Sequence, residues 1–229
     1  MKADGRISNY ERMKNQMADV FLQYDQEPMI RKFRLRQDER YLYIRFLGRE
    51  YRICRLSGRV CWTQDGFQTE READYNEVMT IYDVLCHSQE NCGLAHQWVN
   101  VGSLATVQGG TLAKRNHFFQ NAGDFFDGKT DALACACESC GGEKVEKGDV
   151  AYKLELFPFL PILLCFWESD EEFPASLQIL VDKNTLQYMH YETLMFAIAH
   201  LLERLKEEIR KTTKKEEIRK TTKADGPYF

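Results

Sequence analysis

Residues 151–192 constrain the fold more than any other stretch, because apolar runs, prolines and acids combine there into a readable pattern. In residues 152–156 apolar and charged side chains alternate, which is the period of a half-buried strand. Residues 162–167 are apolar throughout and predict a strand that is covered on both faces. Residues 177–181 predict a third strand, and from His190 the apolar spacing becomes helical. The pattern therefore predicts a meander of three strands that leads into a helix.

Four acidic residues, Glu168, Asp170, Glu171 and Glu172, follow the apolar strand. In an extended chain Asp170 and Glu172 share a face, and Asp182, at the end of the next strand, is expected to approach them. Because clustered carboxylates repel one another, at least one must be protonated, bind a cation or pair with an arginine. The functional interpretation is a catalytic cation site or a general acid/base pair, and the structural one is an ion-pair network. Trp167 beside them is expected to form a cofactor-binding wall or part of the core.

Several short motifs of this region occur together in one known family. They are Phe157-Pro158, Phe166-Trp167, Asp170-Glu171-Glu172-Phe173-Pro174, Leu180-Val181-Asp182 and Glu192, preceded by Gly141-Gly142 and Gly148-Asp149. In these motifs the chain resembles the family catalogued as domain of unknown function 3786, over most of residues 8–205. Its members are found mainly in anaerobic bacteria and archaea, and some resemble proteins that carry a small iron–sulfur domain like that of corrinoid iron–sulfur proteins. Ser169 stands where the family pattern has glycine.

Ahead of this region, residues 29–62 have a period of two and predict an antiparallel meander of three or four strands. Ser8 with Glu11, and Thr69 with Glu72, have the capping-box spacing that predicts the start of a helix. Together these patterns predict an α+β fold in which helices pack on one or both faces of antiparallel sheets. Residues 1–205 are predicted to form a single domain, or two lobes joined near residues 64–72.

The eight cysteines, in a chain without a recognisable export signal, are expected to be free thiols or metal ligands rather than disulfides. Cys135, Cys137 and Cys140 form a C-x-C-x2-C cluster, whose thiolates converge only if the predicted helix ends near Cys137. A fourth ligand is expected from one of three residues: Cys165, Cys92 or His96. Thiolate ligands suit zinc or an iron–sulfur cluster, and the alternative is free thiols at a helix end.

Two further patterns bear on ligand binding. Cys86-His87-x4-Cys92-x3-His96 places four soft ligands within eleven residues, although the spacing matches no standard zinc finger. His117 lies in an aromatic segment and is expected to reach a cofactor if that segment lines a cleft. With the family's iron–sulfur companions, this richness in soft ligands suggests a metal, a cluster or a tetrapyrrole-like cofactor.

Net charge and the lengths of the apolar runs limit the kinds of partner that we expect for this chain. The net charge of −4 argues against the basic surface that binds nucleic acid. No apolar run approaches 18 residues and the N-terminal segment is polar, so we expect no membrane span and a cytoplasmic location. Residues 206–229 contain KEEIRKTTK twice and predict a charged helical extension or a disordered tail.

The function that fits these observations best is a ligand- or metal/cofactor-binding accessory protein of anaerobic metabolism, with an unidentified small molecule or protein as its partner. The alternatives are a cation-dependent hydrolase or lyase that uses the acidic cluster, and a protein interaction module.

Overall fold

The computed structural model describes residues 8–104 and 122–224, with side chains up to residue 214. The chain divides into two compact units. The first contains the residues up to Val99, Glu155–Pro161 and Asp182–His200, and the second contains Asn100–Leu154, Ile162–Val181 and the residues from Leu201. Residues 64–72 lie within the first unit, and the expected domain organisation stays a prediction.

The first antiparallel sheet has five strands in sequential order, and its helices precede and follow it. The elements are α1 (Asn9–Gln23), α2 (Gln26–Phe33), β1 (Arg36–Gln37), β2 (Tyr41–Phe46), β3 (Arg49–Cys54), β4 (Val60–Thr63), β5 (Arg71–Glu72) and α3 (Tyr75–His87). The predicted meander is therefore present, and its turns are short enough to fix antiparallel pairing.

The second antiparallel sheet also has five strands, in the order β6-β10-β9-β8-β7. The elements are β6 (Trp98–Asn100), α4 (Val101–Leu104), α5 (Thr130–Ser139), β7 (Glu143–Lys144), β8 (Val150–Phe157), β9 (Leu160–Trp167), β10 (Ser176–Asp182) and α6 (Tyr191–Ala224), with a 3-10 turn at Thr185–Gln187. The two sheets and their helices confirm the predicted α+β class. None of the helices within the described residues combines the length and the apolarity that a bilayer span requires.

Alternation of side chains builds the core of the first unit. In β2 the buried residues Leu42, Ile44 and Phe46 alternate with more exposed ones, so one face of the strand is apolar. Helix α3 buries four apolar residues at helical spacing: Val78, Ile81, Tyr82 and Leu85. Burial of a side chain of this size stabilises the fold by about 1.5–3 kcal/mol, which makes this apolar layer the main source of stability in the unit.

Two local predictions in this unit are wrong. Residues 29–33 belong to helix α2, because Asp25 caps its first turn by accepting the backbone N–H of Glu27. Thr69 and Glu72 do not start a helix, since Glu72 lies in β5. Helix α3 starts at Tyr75, with Asp74 as its N-cap, five residues beyond the predicted cap Thr69.

A buried carboxylate fixes the start of α3. Glu77 is 2% exposed and forms a capping box with Asp74, whose backbone N–H donates to Glu77 Oε2 at 2.6 Å. Glu77 Oε1 accepts hydrogen bonds from the Tyr51 hydroxyl at 2.5 Å and from Arg49 at 3.2 Å. His200 Nε2 lies 3.3 Å from the same oxygen. The carboxylate thus ties the first turn of α3 to β3 and is compensated by a buried guanidinium.

We expect Glu77→Gln to lower the free energy of unfolding by about 3–5 kcal/mol, because it removes the charge of a buried carboxylate that pairs with the guanidinium of Arg49. Urea denaturation would measure this change. Glu70→Gln is the matched control, since it removes the carboxylate of the more exposed Arg52–Glu70 pair on the same sheet and should cost about 1 kcal/mol or less. Equal losses in the two variants would contradict this account of Glu77.

Candidate functional site

A cavity of about 900 Å³ lies in the second unit, next to the loop that joins β9 to β10. Its described lining combines acids with aromatic rings. The acids are Asp149, Glu168 and Asp170, and the aromatic residues are Trp167 and Phe173. A volume of this size accommodates a small organic ligand.

Carboxylates hold the loop 168–175 in place. Asp127 accepts the backbone N–H of Ser169 at 3.0 Å and its hydroxyl at 2.8 Å. Asp149 accepts the backbone N–H of Glu168 at 2.7 Å, and Asp170 Oδ1 accepts that of Phe173 at 2.7 Å. Asp170 closes a short ring within the loop, whereas Asp127 and Asp149 tie the loop to distant parts of the chain. Three carboxylates therefore fix the conformation of this loop.

The hydrogen bonds to Asp127 favour its ionised form. The backbone N–H and then the hydroxyl of Ser169 lower the pKa of Asp127 below its ordinary value. No basic nitrogen of the described residues lies within 4.0 Å of the carboxylates of Asp149, Glu168 and Asp170. The described wall of the cavity is therefore negative and lacks an internal countercharge.

Close backbone packing positions the indole of Trp167. Gly148 has a φ of +60°, and a Cβ at this position would lie 2.6 Å from the carbonyl oxygen of Phe166 and 3.0 Å from Cε2 of Trp167. Only glycine fits this contact without a shift of the chain. Trp167 itself ends β9 opposite Ser176, the first residue of β10, so the ring stands at the base of the acidic loop.

The expected meeting of Asp182 with the acidic loop is wrong. Trp167 pairs with Ser176, and Ile162 pairs with Val181. In an antiparallel pair the end of one strand lies beside the start of the next, so Asp182 ends β10 far from the loop that precedes this strand. Asp182 instead caps the next turn, where its Oδ1 accepts the backbone N–H groups of Ala95 and Asn184.

The other candidates of this region have separate outcomes. Asp170 and Trp167 both line the cavity, whereas Glu172 is exposed and is not among its described lining residues. His117 lies outside the described residues. A joint catalytic role for Asp170, Glu172 and Asp182 stays a prediction, although the three residues do not lie in one site.

Helix α5 separates the sulfur atoms of the cysteine cluster. It continues to Ser139, past Cys137, so the condition for convergence is not met. Cys135 is exposed, whereas Cys137 and Cys140 are buried and Cys140 Sγ accepts from Arg204 at 3.7 Å. Within the described part of the chain, the three cysteines belong to neither of the side-chain groups whose ligand atoms lie within 4.8 Å of one another. The condition that the sequence set for convergence of the three thiolates is therefore not met.

The additional metal ligands that the sequence suggested also differ from one another. Cys92 is half-buried and belongs, like the exposed His96, to the first unit, whereas the cysteines of α5 belong to the second. Burial raises the pKa of the Cys92 thiol, which disfavours the thiolate that a metal requires. Metal binding by Cys135, Cys137, Cys140, Cys92 and His96 stays a prediction.

Sequence reasoning missed the roles of Asp127 and Asp149, and it placed Glu168 in the acidic run without assigning it to the site. Asp149 had a signal, because a Gly-Asp pair directly before a predicted strand is typical of a turn whose carboxylate accepts backbone N–H groups. Asp127 had no such signal, since its partner Ser169 lies 42 residues away along the chain. The bond that Glu168 accepts from the backbone of Gly128, 40 residues away, was equally invisible to a local pattern.

The fold and the site define a class: an α+β protein of two antiparallel sheets with an acidic, aromatic cavity at a strand end. The chain belongs to the family described as Domain of unknown function (DUF3786), whose model matches residues 25–204. Neither the curated proteins nor the solved structures contain a match to the chain.

We expect Cys135 to react with iodoacetamide about tenfold or more faster than Cys137 in the native protein. The two side chains lie two residues apart in α5, but Cys135 is exposed, whereas burial raises the pKa of Cys137 and shields it. Peptide mass spectrometry over a time course would measure both rates. A metal chelator should not change which cysteine reacts faster. If instead Cys135, Cys137 and Cys140 all react slowly, and a chelator makes all three reactive, the metal-cluster interpretation would be restored.

Proposed function

We propose that this protein is a ligand-binding accessory protein, and that its cavity binds a small organic cation. One observation carries the proposal. The residues through which the chain resembles its family include Asp149, Trp167, Asp170 and Phe173, and all four line the cavity. Motifs that are separated in the sequence thus meet at one place in the fold.

The charge of the cavity supports a cationic ligand. At a separation of 4 Å, opposite unit charges attract by about 4 kcal/mol in the partly screened environment of a protein surface. Asp149 and Asp170 have no basic partner among the described residues, so a bound cation would supply the missing countercharge. Backbone hydrogen bonds already hold both carboxylates, so binding costs little reorganisation.

The aromatic residues support an organic cation rather than a bare metal ion. A cation over an indole face gains about 0.5–2 kcal/mol, and the apolar part of such a ligand would gain from contact with Phe173. None of the described lining residues supplies a sulfur or imidazole ligand, which leaves a thiolate-bound metal or cluster without support at this cavity. A role in anaerobic metabolism rests on the family resemblance.

Choline and its uncharged isostere 3,3-dimethyl-1-butanol are suitable probes, because they have the same shape and differ in charge. We expect choline, but not the alcohol, to shift the tryptophan fluorescence of the protein saturably. Asp170→Asn should weaken choline binding about three- to tenfold, because it removes the charge while keeping the oxygen that accepts the Phe173 N–H.

Glu171→Gln is the matched control, since Glu171 is an exposed neighbour in the same loop that is not a described lining residue. It makes the same change in net charge and should leave the affinity for choline nearly unchanged. Equal binding of choline and the alcohol, or equal losses in the two variants, would contradict a charge-selective site in this cavity. Trp167→Phe should abolish the fluorescence change if Trp167 reports the binding.

A further inference from the structure

Two histidines and an aspartate converge in the first unit, outside the proposed ligand cavity. Asp83 and His87 lie four residues apart on one face of α3, and His190 directly precedes α6. Asp83 Oδ1 lies 2.8 Å from Nδ1 of His87 and 2.7 Å from Nδ1 of His190. The three residues each offer a ligand atom within 4.8 Å of the other two.

The carboxylate at the centre is buried and held in one orientation. The side chain of Asp83 is 7% exposed, and its Oδ2 accepts the backbone N–H of His190 at 2.8 Å. Burial alone would raise the pKa of Asp83, but hydrogen bonds from His190, His87 and Thr193 lower it below its ordinary value. The second oxygen, Oδ1, therefore faces both imidazoles with a negative charge.

We infer that Asp83, His87 and His190 form a binding site for a divalent transition-metal ion such as zinc. The ligand atoms are Oδ1 of Asp83 and the two Nδ1 atoms, a set of two histidines and one carboxylate that suits zinc and related metals. The hydrogen bond that Oδ2 accepts is the kind of outer contact that orients a metal-bound carboxylate.

A small movement of the two imidazoles would admit the ion and a further ligand. Bonds of about 2.0–2.2 Å to zinc place ligand atoms about 3.3 Å apart, so each imidazole would retreat from Asp83 by about 0.5 Å. The side chains of His87 and His190 are 34% and 64% exposed, which permits this movement. Solvent or a small anion would complete the coordination on the exposed side.

Titration of the full chain with Co²⁺, under conditions that keep the cysteines reduced, would test this inference. We expect one tightly bound ion per chain by calorimetry, with a visible spectrum of nitrogen and oxygen coordination. His190→Gln and His87→Gln should each lower the affinity about tenfold or more, since each removes one of three protein ligands. Glu90→Gln is the control, because Glu90 is exposed, lies close to His87 in the sequence and is outside the cluster.

Circular dichroism and the melting temperature without metal would verify that the variants fold. We expect His190→Gln to fold, because the side chain of His190 is mostly exposed. At one zinc concentration, zinc should raise the melting temperature of the wild type and of Glu90→Gln equally, and that of His190→Gln clearly less. Absence of binding, unchanged affinity in both cluster variants, or a thiolate-to-cobalt charge-transfer band would overturn the assignment.

Discussion

The structure around the cavity depends on backbone N–H groups that donate to carboxylates. Asp127, Asp149 and Asp170 each accept such a bond within or next to the loop 168–175. A carboxylate is a pure acceptor when it is ionised, so the interactions that fold the loop also stabilise its charge. The same carboxylates therefore determine both the conformation of the loop and the negative potential of the cavity. A substitution that neutralised these acids without replacing their oxygens would lose both, whereas asparagine would lose only the charge.

The strands β8, β9 and β10 could be predicted because their apolar periods are clear. Which acidic residues lie close together depends on how these strands pair, and a local pattern does not show this pairing. The sequence predicted β8, β9 and β10 from residues 152–156, 162–167 and 177–181, and all three are present. The expected approach of Asp182 overlooked that a short connection makes β9 and β10 antiparallel, which brings the start of β10 to the end of β9. The acids near Asp170 are thus Glu168 and Asp149, and Asp149 precedes β8 rather than following β10.

Contacts between residues that are distant along the chain account for the other differences between the predicted and the observed structure. The pair Thr69/Glu72 and the pair Asp74/Glu77 have similar capping-box spacing, and the apolar residues that follow fit either start. Arg49 and Tyr51 select Glu77, because their side chains reach its carboxylate from β3. Such partners, 28 and 26 residues away along the chain, are invisible to a local pattern. Similarly, the sequence identified His87 as a possible soft ligand but not the residues that it meets. Asp83 contacts both His87 and His190, and His190 lies 107 residues from Asp83 along the chain.

Helix α3 carries two buried carboxylates with different chemistry, and the comparison explains why we assign a metal to one of them. Asp74, Glu77 and His200 also present ligand atoms within 4.8 Å of one another. Glu77 Oε1, however, already accepts from the cationic guanidinium of Arg49 at 3.2 Å and from the hydroxyl of Tyr51. A divalent ion there would be repelled by a fixed positive charge in a poorly screened interior. Asp83 has imidazoles in place of the guanidinium, and an imidazole can release its proton and become a ligand. The same helix therefore uses one carboxylate to hold the fold and offers the other to a metal.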